Sequence, residues 1–506
     1  MQTKRDQVQA HLFVMGRLTS SMLRADPDAP ESPQGRTNRG TAIGVVVTVL
    51  ICAGAFVFGL IKPGVKDSWR AAGTLVVDRD IGSRYLYLDG RLRPVRNHAS
   101  ARLLLGAEMK TTAVGSGSLR DTPHGPPVGI PGAPDALPKP DDLSTDPWLV
   151  CSRPTVTPAG TSDKQETTTT LAVASDAAGQ DVGGGRALLV EAPDGTAYLV
   201  WRGSRLRLDA GSRAAASLGY GSVAPLRVSA AFLSALPAGP DLTPVAVPGR
   251  GERGPDLSGQ RTRVGQLFRI TVPGAAPQMH LLRRDGLVPL TDTAAALLLG
   301  DPATRDKAYD GGTVVVRQLR ADAIGGHVVP GKSAPGPGAG LPASPPRPAT
   351  VAADRTPCVQ VRPGRDGTRV RVSLVREDSL GPVTQPPAEH VAAACLPVDR
   401  VTVPAGGGAL VRVLGAAGVD VGNTTYLVTD SGLKYRVPDE KALQALGHAS
   451  ASATALPSLL LSMLPTGPDL TETDAAAGRA TLTAPRCAEP GAARGGKTTA
   501  QDPGSG

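Results

Sequence analysis

Near the C-terminal end of the chain, Gly491-Ala-Ala-Arg-Gly-Gly-Lys-Thr498 matches the spacing GxxxxGK[ST]. In that motif, loop amides and a helix N-terminus cradle phosphates while the lysine reaches the terminal one. Gly491, Gly496, Lys497 and Thr498 are therefore the residues at which a nucleotide would be held. Their surroundings argue against that chemistry. No strand-like run leads in, eight residues follow, and the segment is rich in Gly, Ala and Arg, a composition in which such a match arises by coincidence. Other reaction chemistry is sparser still. The seven His residues are scattered, and neither HExxH nor GxSxG is present, so a catalytic zinc or a serine elbow has no basis. His98 and His280 read as ordinary packed residues. Asp89 and Asp285, each followed by Gly, read as hairpin-turn residues rather than paired carboxylates. The expectation is no catalytic residue and no metal site.

Five cysteines remain to be placed. Cys52 sits inside an apolar run, which leaves Cys151, Cys358, Cys395 and Cys487 as an even set. No CxxC or Cys/His spacing suits zinc, so disulfides outside the cytoplasm are the simpler use, and one from Cys151 to Cys358 would pin distant parts of the chain. The apolar run, Thr41 to Ile61, has 21 uncharged residues between Arg39 and Lys62, enough for one helix across roughly 30 Å of hydrocarbon. Forty residues precede it, too many for an ordinary signal peptide. Lys4, Arg5, Arg17, Arg24, Arg36 and Arg39 outnumber Lys62, Lys66, Arg70 and Arg79. This bias and the cysteines together put the N-terminus in the cytosol and the C-terminal body outside. Before the span, Val8, Leu12, Met15 and Met22 fall near one helical face, with Lys4, Arg5, Arg17 and Arg24 supplying charge. That is an amphipathic helix, suited either to cytosolic partner domains or to the anionic inner leaflet.

The elements that follow recur. Tyr85 to Gly106, Tyr198 to Gly219, Met279 to Gly300 and Tyr426 to Gly447 each read as strand, Gly turn, strand and a short Ala/Leu helix, with Gly after the helix suited to a C-cap. Leu233-Ser-Ala-Leu-Pro-Ala-Gly-Pro-Asp-Leu242 and Leu461-Ser-Met-Leu-Pro-Thr-Gly-Pro-Asp-Leu470 agree at eight of ten positions, at the same offset of 228 that separates Tyr198 from Tyr426. Two halves of two modules each, in a pseudo-twofold arrangement, are expected. Trp148 to Cys151, Thr313 to Arg317 and Arg369 to Leu374 have the strand-like content of a central core.

The expected organisation is therefore an α+β chain. Residues 1–40 form the cytosolic helix and linker, 41–61 the span, 62–125 the first module and 126–189 the first part of the core. Residues 190–245 and 246–320 form the second and third modules, and 321–350 a Pro/Gly-rich linker. Residues 351–404 complete the core, 405–475 form the fourth module, and 476–506 a loose tail. The chain has 61 Gly, 47 Pro and only 15 aromatics, which disfavours one large enzyme core. Its net charge of +9 is spread along the chain without aromatic interleaving, so nucleic acid is not an expected partner.

Lys4-Arg-Asp-Gln-Val-Gln-Ala-His-Leu-Phe13 before a single span resembles the start of EccB, a membrane component of type VII (ESX) secretion systems. So do Arg84-Tyr-Leu-Tyr-Leu88, Leu92-Arg-Pro-Val-Arg-Asn-His-Ala-Ser-Ala-Arg-Leu103 and Gly129-Ile-Pro-Gly-Ala-Pro-Asp135. The resemblance covers nearly the full chain. It implies an elongated extracytoplasmic domain of four repeat modules around a β-rich core, homo-oligomer contacts through that domain, and a scaffolding role in protein export across the cytoplasmic membrane. It also implies assembly with the EccC motor ATPase, EccD, EccE and the mycosin protease. By the same resemblance Cys151 and Cys358 form the core disulfide, which leaves Cys395 and Cys487 to each other by elimination. No cofactor is expected; ATP enters only because hydrolysis is ascribed to the family. Two other readings stay open: an extracytoplasmic ATPase in the same machine, and a cell-wall-binding membrane anchor.

Overall fold

A computed structural model describes residues 4–24, 33–61, 67–155, 166–271, 274, 276–320, 340–363, 368–414, 420–484 and 487. The chain divides into two compact units. One holds Met1–Ala71, Asp78–Ile81 and Ala113–Asp121; the other holds Ala72–Val77, Gly82–Thr112 and Thr122–Gly506.

The first unit carries helices α1 (Lys4–Arg24) and α2 (Pro33–Ile61). Pro33 opens α2 at the position where its missing N–H is least needed. Thr37–Gly59 within it, 23 residues, is the one candidate span among the described residues, about 35 Å long at 1.5 Å per residue. Its hydroxyls are satisfied internally: Thr41 Oγ1 donates to Thr37 O at 2.9 Å and Thr48 Oγ1 to Gly44 O at 2.8 Å, as a lipid environment demands. On α1, Val8, Leu12, Phe13, Met15 and Met22 are exposed.

The sheets follow in chain order. First come β1 (Thr74–Asp78), β2 (Arg84–Leu88), β3 (Arg91–Pro94), α3 (His98–Leu105) and β4 (Lys110–Val114), with sheet order β3-β2-β1-β4. β5 (Trp148–Pro154), β6 (Thr167–Ala172) and β7 (Gly179–Asp181) enter a central sheet. A second set is β8 (Arg186–Glu191), β9 (Ala197–Trp201), β10 (Ser204–Arg207), α4 (Ala214–Ser217), β11 (Leu226–Arg227) and α5 (Ala230–Ser234), order β10-β9-β8-β11 within a five-stranded sheet. The third is β12 (Leu267–Thr271), β13 (Gln278–Arg283), β14 (Gly286–Leu290), α6 (Asp292–Gly300), α7 (Pro302–Ala308) and β15 (Arg317–Arg320), order β14-β13-β12-β15. β16 (Arg347–Pro348) precedes β17 (Arg355–Arg362), β18 (Arg369–Arg376) and β19 (Arg400–Thr402), which complete the central order β19-β6-β5-β17-β18-β7. The fourth set is β20 (Gly408–Leu414), β21 (Asp420–Thr429), β22 (Lys434–Val437), α8 (Glu440–Ala445), β23 (Thr454–Pro457), α9 (Ser458–Leu461) and α10 (Glu472–Ala477), order β22-β21-β20-β23.

The helix after the third strand lets the chain cross over, so in the second, third and fourth sets the fourth strand returns parallel to the first. The turn before the third strand in the first set uses Asp89 and Gly90 at φ 52° and 72°, as a two-residue hairpin requires. Gly300 departs from the expected C-cap. It lies inside the last turn of α6, and an added Cβ would sit 1.8 Å from Ser217 Oγ. Glycine is needed there for α6 to lie against α4, not for a left-handed turn.

β5 and β17 are covered on both faces, Trp148, Val150, Val359 and Val361 on one and Leu149, Cys151 and Cys358 on the other. This explains why the run Trp148 to Cys151 shows no alternation. One further core joins Ala99 and Leu103 of α3 to Leu443 of α8 and Ala475 of α10, and another joins Ala214 of α4 to Leu297 of α6. The Pro-rich stretch also departs from the expected loose linker. Residues 321–339 lie outside the described residues, but beyond them β16 adds to β8 in parallel and Tyr220 Oη donates to Pro346 O at 2.7 Å.

Candidate functional site

Around α3, the residues of the first hairpin, the helix and the Gly129 to Asp135 loop converge on one hydrogen-bonded knot. Asn97 caps α3: its Oδ1 accepts from Ser100 N at 3.0 Å and Ser100 Oγ at 2.6 Å, and its Nδ2 donates to Ile130 O at 2.7 Å. Ser100 Oγ accepts from Ile130 N at 2.8 Å. Asp135 accepts from His98 N at 2.9 Å and pairs with Arg84 of β2 at 2.8 Å. Gly129 N donates to Ala475 O of α10 at 2.8 Å, and a Cβ there would meet Ser100 Cβ at 3.0 Å. The knot therefore fixes the first sheet to the helix that closes the fourth. Burial lowers the His98 pKa, with Arg102 and Arg84 adding to the effect against Asp135, so the imidazole is held towards its neutral form.

A second constellation recurs in three sheets. A Pro-x-Gly-Pro segment runs along the outer edge of the third strand: Pro123 to Pro126, Pro237 to Pro240 and Pro465 to Pro468. The backbone bonds match: Leu92 N to Pro123 O and Gly125 N to Leu92 O; Arg205 N to Pro237 O and Gly239 N to Arg205 O; Lys434 N to Pro465 O and Gly467 N to Lys434 O. Each covers an edge strand that would otherwise offer unpaired groups. In the first, Arg93 Nε donates to Pro126 O at 3.0 Å; in the other two the third strand supplies cations at matching positions. Arg205 donates to Leu233 O at 2.8 Å, and Arg207 pairs with Asp241 at 2.5 Å. Lys434 Nζ donates to Leu461 O at 2.7 Å and Leu464 O at 2.5 Å, and Arg436 pairs with Asp469 at 2.8 Å. Burial lowers the Lys434 pKa to about 8. The copy at Pro123 is not among the repeats aligned above, although the four-residue pattern Pro-x-Gly-Pro is there to signal it; the cations lie within the aligned repeats, but their roles do not show in the alignment.

The model of the family described as "Type VII secretion system ESX-1, transport TM domain B" matches residues 1–484. The chain belongs to the EccB family. "ESX-2 secretion system ATPase EccB2" of Mycobacterium tuberculosis is 28% identical over 504 residues, covering 95% of this chain and 96% of that protein. "ESX-3 secretion system ATPase EccB3" of the same species is 28% identical over 524 residues, covering 97% and 93%. A chain of an intact ESX-5 inner membrane complex superposes with TM-score 0.60 at 26% identity, covering 96% of this chain and 97% of that one. A chain of an EccB3 dimer from the ESX-3 core complex shares the fold, with TM-score 0.62 at 23% identity over 79% of this chain and 99% of that one. Membership in a family of membrane components, with one apolar helix long enough to span, makes this EccB-family chain a single-pass membrane protein of the type VII secretion machinery.

In this EccB-family chain Cys151 and Cys358, directly opposite on β5 and β17, are bonded to each other, and Cys395 is bonded to Cys487. Cys52, in α2, is free. The structure does not bring the candidate titratable residues together into a reaction centre. His280 is buried on β13 with its pKa lowered by burial, Asp285 pairs with Arg283 at 3.4 Å, and Asp89 stays in its turn. Among the described residues no group of three or more His, Cys, Asp or Glu is placed to hold a metal. Gly491, Gly496, Lys497 and Thr498 lie outside the described residues.

Proposed function

We propose that this chain is a structural subunit of the type VII secretion inner-membrane complex, scaffolding protein export. The single observation that carries the reading is the match to the EccB family across residues 1–484, on a fold whose motif residues build packing joints. In this reading α1 faces the cytosol and meets the EccC motor ATPase beside the membrane. The body beyond α2 stands outside, where it contacts EccD, EccE, the mycosin protease and further copies of itself. Two disulfides favour that side.

The four-stranded sets are read as copies of one module. Their common strand order supports this, as do the shared cores of the first with the fourth and the second with the third. Exchanging the two pairs gives the pseudo-twofold arrangement, with Leu233 to Leu242 in one half and Leu461 to Leu470 in the other.

Affinity purification of a C-terminally tagged chain from mild detergent tests the scaffold. Recovery of a large assembly containing a multi-domain motor supports it, and a lone monomer contradicts it. A second reading, an extracytoplasmic ATPase, is favoured by the description of the M. tuberculosis relatives as secretion system ATPases. Deleting Gly491 to Gly506 tests its candidate site: unchanged hydrolysis and secretion remove Lys497 from consideration. The cell-wall anchor reading requires the purified full-length protein to sediment with peptidoglycan.

A further inference from the structure

Six exposed arginines lie near the place where the central sheet meets the second, five-stranded sheet. Arg362 and Arg369 stand directly opposite across β17 and β18, and Arg371 lies two residues further along β18, hence on the same face. Arg186 and Arg347 are directly opposite across β8 and β16. Arg202 occupies the tip of the β9–β10 hairpin in the left-handed region, φ 49°, its guanidinium 4.6 Å over the Trp201 ring. All six are exposed, and among the described residues none forms an ion pair. Their neighbours differ: Arg153 and Arg400 pair with Glu377, and Arg376 with Asp378.

Gly203 brings the two rows together. Its φ is +75°, and an added Cβ would lie 2.2 Å from Val370 O, so the hairpin tip rests on the backbone of β18. Beside this contact a cleft of about 370 Å³ is lined by Arg202, Arg371, Gly183, Gly184 and Asp181. Asp181 Oδ1 accepts from the Gly183 amide at 2.8 Å.

Like charges directly opposite on a sheet are destabilising, and none of these six side chains belongs to a buried core. Beyond the Arg202 stack on Trp201, folding gains nothing from the arrangement. A chain of net charge +9 also has little acidic surplus with which to cover it. The complementary occupant is a foreign anion. A phosphodiester carries two unesterified oxygens set apart on a tetrahedral phosphorus, so each can meet the guanidinium of one arginine of a pair, and a linear polymer repeats that group. The six arginines form pairs, Arg362 with Arg369, Arg186 with Arg347, and Arg202 with Arg371 across the cleft.

We propose that this cluster binds a linear phosphate-bearing polymer of the cell envelope, one phosphate to each arginine pair. The choice of envelope polymer rests on the outward placement of the body proposed above; the affinity for phosphate does not.

The test uses the full-length protein in nanodiscs of neutral lipid, titrated with inorganic polyphosphate and with a polyglycerol-phosphate chain at several salt concentrations. The expected result is salt-dependent binding of both, weakened at least tenfold by Arg202→Gln with Arg371→Gln and again by Arg362→Gln with Arg369→Gln. Unfolding midpoints should stay at the wild-type value, because these side chains are exposed. A control, Arg305→Gln at an arginine paired with Asp306, leaves binding unchanged. No binding at 50 mM salt, or binding indifferent to both double substitutions, overturns the site. Equal binding of polyglutamate overturns the choice of phosphate. If the body proves cytosolic, the envelope source falls while binding of polyphosphate in nanodiscs survives.

Discussion

The second and fourth sheets carry the same crossing segment and a pair of cations at matching positions, Arg205 with Arg207 and Lys434 with Arg436, yet one ion pair lies at the surface and the other is largely buried. The Arg207 and Asp241 side chains are 56% and 44% exposed, whereas those of Arg436 and Asp469 are 28% and 5% exposed. The difference follows from what covers each sheet. The fourth sheet's crossing segment is bridged on its far side by Ala392, and Thr481 and Thr483 close over Asp469; among the described residues the segment at Pro237 to Pro240 has no such bridge. Identical backbone pairing thus yields two energetic situations. Where water reaches the ions, the pair is nearly neutral for stability; where it does not, losing one partner strands a buried charge.

The largest expected effect separates the two sheets at that point. Asp469→Ala strands Arg436 and removes the acceptor of Thr483 Oγ1, 2.7 Å away, and should cost roughly 3 kcal/mol in denaturant unfolding. Asp241→Ala should leave the midpoint where it was, and equal losses in both would break the comparison.

Lys434 gives the next. Its folded pKa of about 8 lies below the ordinary lysine value of about 10.4, so between those limits the unfolded chain binds more protons. Stability should therefore rise with pH from about 8 towards 10 and be lowest below 8, a span of up to about 3 kcal/mol. Lys434→Met should flatten that rise, while Arg205→Met at the matched position should leave it intact. An unchanged slope in Lys434→Met would falsify the buried-ammonium account.

A smaller effect sharpens the role of the knot. Asn97→Ala loses the cap of α3 and the bond to Ile130 O, for about 2 kcal/mol by thermal unfolding. Amide exchange in α10 should quicken in that variant while α5 of the second sheet stays protected. Exchange that quickens equally in both would mean that the knot does not act through the fourth sheet.

Much of this is legible in the sequence. A span of uncharged residues, Gly after a hairpin strand, and ten aligned positions at a constant offset each have a local physical cause, and each marks an element in the fold. The remainder depended on distance across the chain. Nothing in the alternation of Lys434-Tyr-Arg436 distinguishes a buried ammonium from an exposed one, because its partners, the Leu461 and Leu464 carbonyls, come 27 and 30 residues later in the chain. Gly300 looked like a C-cap because the sequence carries no sign of Ser217 beside it. The end of the Pro-rich stretch read as linker because a two-residue strand such as Arg347–Pro348 has no periodicity to find. The arginine cluster was invisible for the same reason: its six members come from five separate strands and turns.

The proposed outward placement of the folded body carries most of the functional account, and it can be tested in one experiment. In a Cys52→Ser background, a cysteine placed at exposed Ser379 is treated in intact cells with a maleimide that cannot cross the membrane. Labelling before lysis, equal to labelling after it, is the predicted result. Labelling that appears only after lysis would put the body in the cytosol and contradict the account.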